Sequence, residues 1–186
     1  MNKLLLIIDP QMDFINGSLP IAGAAEAMDA LAEYVDSHGK EYALRVATSD
    51  WHPYHHCSFD REGGPWPAHC MQHSAGAAIW QRLLEALHQT EGGFVMLYKG
   101  DEASREEYSI LQNKRSSIEL RHLVSEHAIG QIDVCGLAGD VCVLNTLKDL
   151  MAEYGPGRLN VLTAYSPSLD DGSALRNFIE THGLGG

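Results

Sequence analysis

Leu4-Leu5-Leu6-Ile7-Ile8-Asp9-Pro10 decides the fold. Five apolar residues in a row, with no alternation and with an acid and a proline ending them, read as a strand covered on both faces. Residues 42–48, 94–98 and 132–135 have the same form, and residues 159–163 are similar. Helical patterns lie between these runs. Residues 24–37 put Met28, Leu31, Ala32 and Val35 on one stripe, and residues 76–88 gather Ile79, Leu83, Leu84 and Leu87. A weaker pattern covers residues 118–127, and residues 143–154 offer Leu147, Leu150 and Met151. Strands alternating with helices predict an α/β fold of three layers, α/β/α, around a central, mostly parallel sheet, as one domain over residues 1–186. No element is assigned after Asp170, and Gly183-Leu184-Gly185-Gly186 reads as a flexible end.

Composition narrows the function classes. A chain of 186 residues with 45% hydrophobic and 20% charged residues is globular. Its formal net charge of -12 argues against a nucleic-acid partner, which needs a basic face. No apolar run approaches the roughly 18 residues of a membrane helix. The run after Lys3 is also too short for a signal peptide and lacks a small-residue cleavage site, so a cytoplasmic protein is expected. Four scattered cysteines, at 57, 70, 135 and 142, suggest thiols more than a disulfide framework. The sequence leaves a homo-oligomer open.

In parallel α/β sheets ligands bind beyond the carboxyl ends of the strands. Those ends deliver Asp9, Asp50, Lys99 and the turn 136–142 to one edge. The second strand is followed by Asp50-Trp51-His52-Pro53-Tyr54-His55-His56, and His69 comes thirteen residues after His56. One carboxylate with several imidazoles suits a divalent ion such as zinc, iron or manganese. A solvated, histidine-rich loop is the plainer alternative, and the pattern alone does not exclude His55 as a ligand. Long loops loaded with reactive residues are nonetheless more often sites than slack.

The fourth strand runs into Cys135-Gly136-Leu137-Ala138-Gly139-Asp140-Val141-Cys142. With a helix over 143–154, Cys142 falls near its N-terminus, where free N–H groups and the helix dipole favour a thiolate and can hold an oxyanion. A buried structural cysteine is the commoner fate of this residue type. Asp9 is a candidate base for the thiol and Lys99 a candidate positive charge beside it.

Five ordered blocks carry a resemblance: Asp9-Pro10-Gln11-Met12-Asp13-Phe14; Asp50-Trp51-His52-Pro53 with His56-Cys57-Ser58-Phe59; Trp66-Pro67-Ala68-His69-Cys70; Tyr98-Lys99-Gly100; and 136–142. Together they resemble the nicotinamidase/pyrazinamidase branch of the isochorismatase-like cysteine hydrolases, from the first strand to about Ser166. The resemblance implies a catalytic triad of Asp9, Lys99 and Cys142. It implies Asp50, His52, His56 and His69 as ligands of a divalent metal ion, zinc first, with iron and manganese as alternatives. It also implies Phe14 and Trp66 around an aromatic ring, the N–H groups of Ala138 and Cys142 as the oxyanion hole, and a cis peptide at Leu137-Ala138. The activity implied is hydrolysis of a small aromatic carboxamide, nicotinamide first, within NAD salvage. Gly139 and Val141 depart from the Thr and Tyr that many relatives carry there. A carbamoyl or ureido amidohydrolase is the competing enzyme, and a metal- or redox-binding module without turnover the competing class.

Overall fold

The computed structural model describes residues 1–186. Its sheet has five strands: β1 (Asn2–Ile8), β2 (Leu44–Asp50), β3 (Val95–Lys99), β4 (Ile129–Gly136) and β5 (Leu159–Val161). All pairings are parallel, in the order β3-β2-β1-β4-β5. Side chains alternate across a strand, and β1 shows both halves: Leu4, Leu6 and Ile8 enter one core, Leu5 and Ile7 the other. The first core is closed by α4 (Lys114–Glu126), α5 (Leu144–Tyr154) and α6 (Ser173–His182), through residues such as Leu120, Leu147 and Leu175. The second is closed by α2 (Ala24–His38) and α3 (Gln81–Gln89), through Met28, Leu31, Leu83 and Leu87. The three-layer α/β/α architecture is therefore as expected. No helix is long and apolar enough to cross a membrane.

Three expectations are corrected. The helix expected from Gly76 begins at Gln81, because residues 76–80 are held by other partners. Gly76 and Ala78 carbonyls accept from the N–H groups of Asp13 and Met12 (both 2.9 Å), and Trp80 N–H donates to Pro10 O (2.8 Å). This pins the segment against the short helix α1 (Met12–Ile15). The unassigned tail contains α6, and the end expected to be flexible is docked. Leu184 is buried in the core, and Val161 N–H donates to Gly185 O at 2.7 Å, so the terminus covers the β5 edge. At the other edge, Ser116 Oγ on α4 donates to Tyr98 O (2.6 Å) and accepts from Tyr98 N–H (3.3 Å), so β3 is covered too.

The strand order reverses between β1 and β4, which makes the crevice beyond their carboxyl ends the switch point where ligands bind in such sheets. Asp9 stands at one lip and the turn after Gly136 at the other. Gly136 has φ +119°, and a Cβ there would meet Ile8 O at 2.1 Å. Only glycine lets β4 leave the sheet this close to β1.

Candidate active site

Four strand ends bring their polar residues to one point. Lys99, wholly buried, places Nζ 2.9 Å from Asp9 Oδ2 and 3.6 Å from Cys142 Sγ, and also bonds Asp50 Oδ1. A carboxylate oxygen of Asp9, one of Asp50 and the sulfur of Cys142 all lie within 4.8 Å of one another. Asp9 is held from behind: Thr48 Oγ1 donates to its Oδ1 at 2.6 Å and accepts from its N–H at 3.2 Å. Its backbone has φ +44°, a left-handed conformation rare outside glycine and typical of strained functional positions.

The electrostatics follow from burial. Desolvation pushes the Asp9 carboxyl above its ordinary value, with the Lys99 ammonium opposing. Burial also works against ionised Asp50, but Lys99 and then His52 outweigh it and hold that carboxyl below the usual range. Lys99 pays the same desolvation, yet Asp50 and Asp9 raise it well above an ordinary lysine. The Cys142 thiol is pushed well up, by burial first and by both carboxylates as well, against Lys99. Cys142 lies within a π-helical turn (Gly139–Val143) ahead of α5.

The turn has the cis peptide at Leu137-Ala138. Ala138 O accepts from the N–H groups of Val141 and Val143 (both 3.1 Å), which closes the turn, and Ala138 and Cys142 both line the pocket. Above them Phe14, Trp66, Leu19, Ile21 and Val141 make an apolar wall. Trp66 is oriented by its Nε1–H, which donates to Tyr108 O–H at 3.1 Å. Phe14 lies 5.5 Å from the His69 ring, centroid to centroid.

Asp50, His52 and His69 form the metal-competent group. Asp50 Oδ2 is 3.6 Å from His52 Nε2 and 3.9 Å from His69 Nε2. Both rings turn Nδ1 to a backbone carbonyl, His52 to Gly100 O (3.0 Å) and His69 to Pro67 O (2.7 Å). A carbonyl oxygen only accepts hydrogen bonds, so each Nδ1 carries a hydrogen, and in its neutral form each ring presents the Nε2 lone pair toward Asp50. His52 Nε2, fully buried, has no hydrogen-bond partner. The buried carboxylates of Asp9 and Asp50 face a single ammonium. Lone pairs converging on an anion amid excess negative charge fit a divalent cation. His56 stacks on His52 at 4.0 Å, but its Nδ1 meets Ser58 Oγ (2.6 Å) and its Nε2 meets Arg105 O (3.0 Å). His55, which the pattern left open, is exposed and paired with Glu62 at 2.7 Å.

Several supports escaped the sequence reading. Gln11 donates Nε2–H to Asp50 O and accepts Asp50 N–H, fastening β1 to the metal-competent group (2.9 and 2.8 Å). Phe59 is fully buried with its ring edge-on to His52, His56 and His69 at 5.6–5.7 Å. Glu106 lines the pocket and lies near His52 and His56. Gln11 and Phe59 stood in quoted blocks, but nothing there marked either as a support, and Glu106 stood in none.

Comparison with known proteins follows the same lines. The isochorismatase domain model matches residues 3–153. A nicotinamidase of Escherichia coli is 30% identical over 180 residues, covering 87% of this chain and 81% of that one. A crystal structure of pyrazinamidase of Pyrococcus horikoshii in complex with zinc superposes with TM-score 0.86 at 26% identity, over 100% of this chain and 98% of the other. A protein of L. infantum in complex with nicotinate gives TM-score 0.83 at 30% identity, over 99% and 91%.

Proposed function

Because the chain belongs to the isochorismatase family, we propose that it is a nicotinamidase, converting nicotinamide to nicotinate and ammonia through a thioester on Cys142. The observation that carries this reading is the contact of one buried ammonium, Lys99, with two carboxylates and a thiol on the floor of an aromatic-walled pocket.

Asp9, the base, takes the thiol proton of Cys142 as the sulfur attacks the carboxamide carbon. Burial disfavours a free thiolate, so transfer and attack belong to one event, and Lys99 stabilises the anionic pair while it lasts. The oxyanion is received by the N–H groups of Ala138 and Cys142, each worth about 3 kcal/mol by comparison with other such donors. Asp9 returns the proton to the nitrogen, the C–N bond breaks and ammonia leaves. Water then attacks the thioester carbon and gives Asp9 a proton. The C–S bond breaks, and that proton restores the thiol. Phe14 and Trp66 hold the ring between them.

Asp50, His52 and His69 would hold a divalent ion, with His56 as the fourth candidate after rotation from Arg105 O. Bound there, the ion supplies positive charge and an open coordination position for a ring nitrogen. Zinc is the first candidate, since the donors are imidazoles and a carboxylate.

Ammonia release from nicotinamide by metal-loaded protein, beside a chelated sample and Cys142→Ala, tests the reading. Release that requires both the metal and the thiol is expected. Silence of the loaded protein on nicotinamide, with turnover of a ureido or carbamoyl compound, would replace the substrate. Silence on both would leave a binding module.

A further inference from the structure

The pocket is a cleft lined by twelve residues, nine of them hydrophobic. Of the lining residues eleven are buried or half-buried, and Leu169 alone is exposed, at 41%.

Leu169 does not belong to the sheet edge that carries the reactive groups. It sits in the segment between β5 and α6, and the nucleophile turn holds it there. Asp140 Oδ1 accepts Leu169 N–H (2.9 Å) and Oδ2 accepts Asp170 N–H (3.0 Å). Gly139 N–H donates to Pro167 O at 2.9 Å. A Cβ on Gly139 would meet Ser166 O and Ser168 Oγ at 2.5 Å, so glycine is what lets the segment lie against the turn. Asp170 in turn accepts from Gly172 and Ala174 N–H groups and anchors the start of α6. The apolar side chain that the carboxylate clamp carries lines the exposed side of the pocket.

We propose that Leu169 is the outer wall of the substrate pocket, positioned by Asp140, and that it sets how large a ring substituent the site admits. This rests on the carboxamide reading above. Asp140 touches no reacting atom and is a positioning residue.

The test is a selectivity ratio: kcat/KM for a ring-alkylated nicotinamide divided by kcat/KM for nicotinamide, in wild type, Leu169→Ala, Leu169→Phe and Asp140→Asn. We expect the ratio to rise at least tenfold in L169A, to fall in L169F, and to rise in D140N through KM more than kcat. Thermal unfolding checks that each variant is folded. A ratio unmoved in both L169A and L169F, while wild type turns over nicotinamide, overturns the assignment. Wild type silent on every carboxamide overturns the carboxamide reading, and this inference with it.

Discussion

At the scale of single residues, the site depends on side chains that react with nothing. Thr48 Oγ1 is the hydrogen-bond partner of Asp9 Oδ1, and both residues are wholly buried. Thr48→Val keeps the shape and leaves a buried carboxylate oxygen without its donor. A hydrogen bond to a charged group contributes about 1.5–3 kcal/mol, so kcat/KM should fall roughly 10- to 100-fold. Steady-state kinetics decide this, and wild-type values in T48V would show that Lys99 alone orients Asp9. Phe59 is the second case. It is fully buried under the imidazoles of His52, His56 and His69. Phe59→Ala should lower stability by about 3–5 kcal/mol in chemical denaturation, and F59L by less. An alanine variant within 1 kcal/mol of wild type would mean that the histidine loop is held elsewhere.

At the scale of elements, strand ends and loops were unequally legible. The apolar runs announced their strands because both faces are buried, and burial needs no knowledge of partners. Asp9, Asp50 and Lys99 were legible for the same reason, each standing at the end of such a run, and Cys142 because it lies in the turn between the fourth run and a helical pattern. The start of α3 was not, because the helical period of 76–80 is overridden by hydrogen bonds to Met12, Asp13 and Pro10, residues more than sixty positions away. The orientation of His56 was not legible either, since its partner Arg105 O comes from a distant loop. That loop is tied to α4 by Asn113. Its Oδ1 caps the helix by accepting Arg115 and Ser116 N–H, and its Nδ2 donates to Asp101 and to Glu107, which itself accepts Gly100 N–H. Asn113→Ala should cost about 1 kcal/mol for the cap alone and more with Glu107 left short of a donor. Asn113→Asp restores the cap acceptor but sets a third carboxylate against Asp101 and Glu107. At neutral pH it should be no more stable than N113A, and a wild-type melting temperature for N113D would refute the double role.

At the scale of the whole molecule, fold and charge point to one missing partner. The strand order reverses between β1 and β4, and the crevice there collects Asp9, Asp50, Lys99 and two imidazoles whose Nε2 atoms face Asp50. A chain that buries unpaired acceptors around excess negative charge is incomplete without a cation, and a ligand that binds only the folded state stabilises it by mass action. At a hundredfold excess over Kd the gain is about 2.7 kcal/mol. For a domain of this size that is a rise in Tm of roughly 5–10 °C. Thermal unfolding of chelated protein with and without added zinc should show this rise. His52→Ala should abolish it, because His52 Nε2 is buried without a hydrogen-bond partner and faces Asp50. His55→Ala should keep it, because His55 points to solvent and pairs with Glu62. His56→Ala decides the fourth position: loss of most of the rise means that the ring swings from Arg105 O to the ion, and a full rise means that three protein ligands suffice. No rise in the wild type, or a rise that survives H52A and vanishes in H55A, would remove the metal centre from this crevice.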